Sequence, residues 1–257
     1  MPKLTIVVSN KDRLKIKDCN RSKLFIQSIQ WQGYTDFELL ISDNGSQNYE
    51  EIKDFFEHYD GNIPMRIIKC ESDLFSRSLL NNIGIRRAFG EYVLCTDVDM
   101  IFGKDYFGTV MQNVGNNILV ESRTMYLKSN ITKMICDGKL DPYNDLDSIK
   151  RGRTKKRTTA GGTQCMHIDS WNLIRGYNEL MKVWGSEDYE LLCRAKKAKM
   201  KVVWLGEDRD SIMLFHQQHS KPNITMDLEW QEKNKKFLHN IESYAVNGEN
   251  WGGKITY

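Results

Sequence analysis

Two aspartates one residue apart, Asp97 and Asp99, close an apolar run, Tyr92-Val93-Leu94-Cys95. Carboxylates are hard oxygen donors, and a pair of them suits a divalent cation that also reaches phosphate oxygens. A capped turn is the alternative that needs no ligand. The same Asp-x-Asp string recurs at Asp145/Asp147 and Asp208/Asp210, among polar, turn-like residues where it reads as solvated loop. Context selects the first of the three. In an open α/β sheet, ligands bind where strands end, and this run reads as a strand covered on both faces.

A second group lies at Trp184-Gly185-Ser186-Glu187-Asp188. Two acids at a helix start are favoured by the helix dipole, which accounts for them without chemistry. Tryptophan beside glycine adds a flat apolar platform on a hinge, as sugar binding often needs. A carboxylate next to it could deprotonate a hydroxyl nucleophile. His216 follows the apolar stretch Ile212–Phe215. Its imidazole suits manganese or a similar ion as a third ligand, or is a satisfied core histidine; His219 competes for the ligand role.

The elements that must position these groups follow from apolar spacing. Leu4–Val8, Phe37–Ile41, Met65–Ile68 and Tyr92–Cys95 read as strands. Asp18–Trp31, the set Ile52, Phe55, Phe56, Tyr59 and the set Leu79, Leu80, Ile83, Ala88 read as helices between them. This alternation predicts a parallel sheet with helices on both faces. The loops Ser9–Arg13, Ser42–Ser46 and Asp97–Asp99 then share one rim and converge on a nucleotide site. Further on, Asn117–Val120, Ala160–Ile168 and Lys201–Leu205 read as strands. Ser170–Ile174 reads as a helix capped by Asp169, Glu187–Ala198 as a longer one, and Met226 onward as a charged helix and a Gly/Asn-rich end. Residues 128–159 carry no clear period.

The 257 residues suffice for one large α/β domain. A net charge of +3 is too small to demand a nucleic-acid partner. No apolar run approaches a membrane span, and the start enters a strand too early for a signal peptide. Cysteines at 19, 70, 95, 136, 165 and 193 form no CxxC and read as reduced, partly buried thiols of a cytoplasmic protein; nothing beside them supports a catalytic thiol.

In their order, the Ser42-Asp43-Asn44-Gly45-Ser46 loop, Asp97-Val98-Asp99 and Trp184–Asp188 resemble a nucleotide-sugar glycosyltransferase of the GT-A, Rossmann-like fold. The N-terminal half is similar to family 2 enzymes. The later part is similar to the carboxyl-terminal region of β-1,4-galactosyltransferases and bacterial chondroitin polymerases. The closest stretches are Phe75–Gly84, Thr96–Ile101, Gly161-Gly162 and Trp184–Asp188, and Met213-Leu-Phe-His216 resembles a Met-x-x-His metal segment. The resemblance spans roughly residues 3–220. It implies residues 1–225 as one domain, with a nucleotide half (1–100) and an acceptor and catalytic half (101–225), and 226–257 as a helix and tail.

The resemblance also implies inverting, metal-dependent transfer of a hexose or N-acetylhexosamine from a UDP-sugar to a glycan hydroxyl. Asp43 would bind uracil, Arg77 the nucleotide or its phosphates, and Asp97 the ribose or donor sugar. Asp99 and His216 would ligate Mn²⁺ or Mg²⁺, with Met213 a weaker ligand. Asp188 would be the general base, Glu187 would hold donor or acceptor hydroxyls, and Trp184 with Gly185 would belong to a loop closing over the donor sugar. Ser9 and Arg13 would line the donor side, although Ser9-Asn-Lys-Asp-Arg13 departs from the family's usual Pro-x-Tyr-Asn-Arg-like loop. Galactosyltransferases carry a membrane anchor and disulfides; this chain shows neither pattern, so soluble bacterial or viral enzymes are the better comparison.

Three other readings stand beside this one. Lys150–Arg157, with six basic residues in eight, would suit a nucleic-acid acceptor. Such a run is more often a solvated loop, and aromatics for base stacking are sparse there. A non-catalytic nucleotide-sugar-binding module would share the fold. A nucleotidyltransferase would want an early glycine-rich phosphate loop, and Ser9–Arg13 has no glycine.

Overall fold

The apolar runs of the first hundred residues form the strands expected of them, and the helices fall between. The computed structural model describes residues 1–14, 20–58, 63–70, 72–141, 144–145, 161–207, 211–218 and 224–253. The basic run Lys150–Arg157, Asp147, the Asp208/Asp210 pair and His219 lie outside the described residues.

In chain order the elements are β1 (Leu4–Asn10), α1 (Asn20–Gln30), β2 (Phe37–Asp43), α2 (Tyr49–Glu57), β3 (Met65–Lys69), α3 (Arg77–Ile85) and β4 (Tyr92–Thr96). Then come β5 (Met100–Phe102), α4 (Tyr106–Asn113), β6 (Ile118–Ser122), β7 (Thr124–Tyr126), α5 (Ser129–Cys136) and β8 (Thr163–His167). The chain continues with α6 (Ile168–Ile174), α7 (Glu187–Lys197), β9 (Lys201–Leu205), β10 (Leu214–His216) and α8 (Ile224–His239).

The large sheet has the order β3-β2-β1-β4-β8-β6-β9. All pairings are parallel except those of β8, which runs antiparallel to β4 and β6. The chain winds outward from β1 to β3, then returns to lay β4 on the other side of β1. That reversal opens a crevice at the carboxyl ends of β1 and β4, the usual ligand position in such sheets.

Both faces are covered, as continuous apolar strands require. On one face Ile6, Val8, Leu39, Leu94 and Val120 pack on Phe25 and Ile29 of α1 and on Tyr106 and Phe107 of α4. On the other, Val7, Leu40, Val93, Cys95 and Met166 pack on Trp171, Tyr177, Leu191 and Trp251. Trp171 is fully buried and donates from Nε1 to the Val93 carbonyl at 3.1 Å. Each such buried side chain contributes ~1.5–3 kcal/mol. Trp251 places the end of the described chain inside this second core.

A second sheet, β5-β10-β7, was not foreseen. Its strands of three residues are too short to show a period. It buries Ile101, Met125, Ile212 and Phe215 in a cluster of its own. The residues Asp97–Asp99 form the turn that carries the chain from the large sheet into this small one. Helices α4 and α5 were also unexpected. Asp169 does not cap α6: the helix starts one residue earlier, and the His167 imidazole accepts from the Asp169 N–H at 3.1 Å.

Candidate active site

Ser76 caps α3, its hydroxyl accepting from the Leu79 N–H, and so sets Arg77 in the first turn. A cation at a helix N-terminus opposes the dipole. Three carboxylates offset that. Arg77 Nε donates to Asp97 Oδ1 at 2.8 Å, and Nη1 donates to Glu187 Oε1 at 3.1 Å and to Asp188 Oδ1 at 2.5 Å. Burial alone would favour the neutral guanidine, but Asp188, Asp97 and Glu187 outweigh it and raise the Arg77 pKa. The predicted site residues Arg77, Asp97, Glu187 and Asp188 are thus brought together around one guanidinium.

Glu187 and Asp188 open α7, where the dipole favours acids. Glu187 is buried, and its second oxygen accepts from the Gly185 N–H at 2.5 Å. Both of its oxygens are therefore engaged inside the protein, one by Arg77 and one by the loop before α7. Asp188 keeps 27% of its side chain exposed. Burial pushes its carboxyl up to about 8; Arg77 pulls the other way, while Glu187 and Asp97 add to the rise. Gly161, at φ +101°, leaves the space beside Asp188 Oδ2, and a Cβ there would collide with that oxygen.

Beneath Asp188 lies a polar row that sequence reasoning missed. Gln164 Nε2 donates to the Asp188 carbonyl at 3.1 Å and to Glu121 Oε1 at 2.5 Å, and its Oε1 accepts from the Tyr177 hydroxyl at 2.8 Å. Glu121 is 1% exposed, and its Oε2 has no hydrogen-bond partner among the described residues. Burial pushes Glu121 up to about 8. The signal was available: an acid inside the apolar strand Ile118–Ser122 has to be neutral or paired.

Asp99 sits in a different setting. The antiparallel pairing of β10 with β5 sets His216 opposite Met100, and the Gln217 N–H donates to the Asp99 carbonyl at 3.0 Å. His216 Nε2 then stands 3.6 Å from Asp99 Oδ1, and Arg13 Nη1 stands 3.6 Å from Asp99 Oδ2. The His216 ring stacks on Tyr126 of β7, with centroids 4.5 Å apart. An oxygen and an imidazole nitrogen at 3.6 Å exceed hydrogen-bond length. They suit two donors of one cation with bonds of ~2.1 Å. Among the described residues no cluster of three His, Cys, Asp or Glu could hold a metal alone. An ion here would complete its shell with diphosphate oxygens and water, as Mg²⁺ and Mn²⁺ do.

Met213 does not join this pair. Its carbonyl accepts from the Gly103 N–H, four residues along β5 from Asp99, so about 13 Å separates them at the strand rise. Its sulfur instead lies 3.9 Å from Thr109 Oγ1 of α4.

The donor-side loops hold further corrections. β1 runs to Asn10, so Ser9 is a buried strand residue opposite Ser42. Asp43 is fully buried and held by donors of the protein itself. Its Oδ2 accepts from Asn10 Nδ2 and the Ser46 hydroxyl, both at 2.6 Å, and its Oδ1 accepts from the Ser46 N–H at 2.7 Å. Ser46 Oγ in turn accepts from the Asp12 N–H at 2.7 Å. Asp43 therefore ties the first two rim loops together. Between them and β3 opens a cleft of about 470 Å³, lined by Lys11, Asn44, Gln47, Tyr49, Lys69 and Ser72 among others. Trp184 and Gly185 lie in the loop before α7, partly exposed. The thiols take no part: burial pushes Cys70 and Cys95 up to about 12. Among the described residues no helix is long and apolar enough to cross a membrane.

A family model described as glycosyl transferase family 2 matches residues 23–159. One described as the N-terminal domain of galactosyltransferase matches residues 148–219. A hyaluronan synthase of Pasteurella multocida is 20% identical over 269 residues, covering 88% of this chain and 26% of that protein. The chain thus spans about a quarter of the length of this curated relative. Among solved structures, S. aureus TarS 1–349 in complex with UDP-GlcNAc superposes with a TM-score of 0.56 at 12% identity, covering 97% of this chain and 69% of that one. The mannosyltransferase PcManGT from Pyrobaculum calidifontis, in complex with GDP-Man and Mn²⁺, gives 0.59 at 13% identity, covering 94% and 66%. Both share the α/β fold of this chain.

Proposed function

The chain belongs to glycosyl transferase family 2 and is a glycosyltransferase, and on that footing we propose that it moves a hexose or N-acetylhexosamine from a UDP-sugar to a glycan hydroxyl, with inversion. The observation that carries the reading is the division of labour on one rim. Asp99 and His216 offer donors to an external cation, while Asp188 stands beside Arg77, its second oxygen close against Gly161 and 27% of its side chain exposed. The TarS complex with UDP-GlcNAc supports a UDP-sugar donor, and the Mn²⁺ in the PcManGT complex supports a metal.

In this reading the nucleoside enters the cleft near Asn44, Tyr49 and Lys69, whose walls Asp43 keeps in place. Arg13 and Lys11 bring positive charge to the diphosphate side. A cation at Asp99 and His216 would, when bound, offset charge on the leaving diphosphate. Asp188 Oδ2 takes the acceptor hydroxyl proton as the new bond forms to the anomeric carbon. The bond to the diphosphate oxygen breaks on the opposite face, and its electron pair leaves with UDP. A raised proton affinity makes Asp188 a stronger base than an ordinary carboxylate. Asp97 meets the ribose or donor sugar.

A screen of UDP release over UDP-sugars, with GDP-mannose beside them, tests this in Mn²⁺ and in EDTA. One UDP-sugar should release UDP in Mn²⁺ and not in EDTA. Turnover of GDP-mannose alone would overturn the donor assignment, and EDTA-insensitive turnover would overturn the metal.

A further inference from the structure

Helix α8 lies beyond the residues matched by either family model, yet it reaches the catalytic loop. It packs on α7. Its Asn234 is fully buried and donates from Nδ2 to the carbonyls of Lys182 at 2.9 Å and Gly185 at 3.2 Å, with that of Trp184 at 3.5 Å. Three carbonyls on one side fix which end of the amide faces them: only the nitrogen can donate. One turn earlier, Gln231 lays its stem against Gly185, where a Cβ would stand 2.7 Å from Gln231 Cγ.

The loop so held is a costly one. Val183, Gly185 and Ser186 have φ of +59°, +111° and +70°. For a β-branched residue such as valine, this backbone persists only when its surroundings over-determine it. The contacts continue inward. The Gly185 N–H donates to Glu187 Oε2, Glu187 Oε1 accepts from Arg77, and Arg77 holds Asp97 and Asp188. An unbroken path of hydrogen bonds and one peptide unit therefore joins Asn234 to the carboxylate assigned as base.

We propose that Asn234 is a positioning residue for sugar transfer: it holds loop 182–186 in the conformation that turns Glu187 and Asp188 onto Arg77. This rests on the assignment of Asp188 as base. Without the Asn234 donors, the loop relaxes toward ordinary φ values, Glu187 loses the Gly185 N–H, and Asp188 loses its fixed direction. The nucleotide cleft, built from β1–β3, is untouched.

The test uses the full chain with Asn234→Asp, which keeps size but sets an oxygen against three carbonyls, and Gln231→Ala, which removes only the supporting stem. Lys235→Ala, on the exposed side of α8, is the control. Misplacing a catalytic group by about 1 Å costs up to ~10²-fold. Asn234→Asp should therefore lower kcat about 10–100-fold with UDP affinity, by calorimetry, within about twofold of the parent. Gln231→Ala should lower kcat less, in the same pattern, and Lys235→Ala not at all. Parent kcat in Asn234→Asp overturns the proposal, as does a fall in UDP affinity matching the fall in kcat. Should Asn234→Asp not fold, parent kcat in Gln231→Ala overturns it. Asp188→Asn run in parallel separates the two ideas: full turnover there sinks the base, whereas loss there with parent kcat in Asn234→Asp sinks only the positioning role.

Discussion

Asp97 and Asp99 are two positions apart and end in opposite electrostatic settings. Asp97 shares one buried guanidinium with Glu187 and Asp188, so its charge is partly offset from within. Asp99 faces His216 and Arg13 across gaps of 3.6 Å, the arrangement proposed above to take a cation from outside. The difference arises because the chain changes sheets between them: β4 ends before Asp97, and β5 starts after Asp99. One turn thus separates an acid cluster gathered on one guanidinium from a carboxylate whose charged neighbours stand at 3.6 Å.

The largest effects should come from splitting the two settings. Asp188→Asn should lower turnover ~10²–10⁴-fold, the usual worth of a positioned base, with metal-dependent UDP binding retained. Asp99→Ala should instead remove the Mn²⁺ dependence of UDP binding seen by calorimetry, and turnover with it. If both variants fail in the same way, the division between the clusters is wrong. In the parent, kcat/KM should climb with pH toward a plateau above about 8, because Asp188 works as base only when ionised.

Next in size is Arg77→Met. Removing one partner of a buried ionic group leaves charge uncompensated, a loss of about 3–5 kcal/mol. The loss should be read as a lower urea midpoint at pH 7, shrinking toward pH 5 as the stranded carboxyls protonate. A midpoint equal to the parent's would mean the cluster does not depend on its guanidinium.

The smallest effect is expected from Glu121→Gln, which mimics the protonated acid. Glu121 is raised in the folded chain from 4.5 to about 8, so the native state holds its proton more tightly. Its contribution is fully present below about pH 4.5 and is lost as pH rises through 8. The variant should match the parent near pH 5 and melt higher at pH 8, with a flatter Tm profile between. A steeper profile in the variant would mean Glu121 is ionised and paired in the native state.

Much of this was legible because burial on two faces leaves a mark. Strand β4 appears as an unbroken apolar run, β1 and β2 as runs interrupted once, by Thr5 and Glu38, and the rim loops follow from their alternation with helices. Asp188 and Asp97 stood out as charges beside such elements, and Arg77 entered only through the family resemblance. Asp43 misled: a carboxylate at a strand end is visible in sequence, but the donors that turn it inward, Asn10 and Ser46, are set only by the pairing of β1 with β2. Met213 misled because a Met-x-x-His spacing ignores strand geometry, in which residues three apart point to opposite faces. The small sheet was invisible since three residues make no period, and Glu121 was passed over as one letter in an apolar run.

The pairing of β5 with β10 also bears on how the protein assembles. It joins positions 99 and 216, so a very long loop must close before Asp99 meets His216. The cleft proposed for the nucleoside is lined only by residues up to Ser72 and can take shape early. A nascent chain would hold a pocket for the nucleoside well before it had a place for the cation. Reaction competence would arrive as one of the last events of folding, and a product truncated before β10 would bind without turning over.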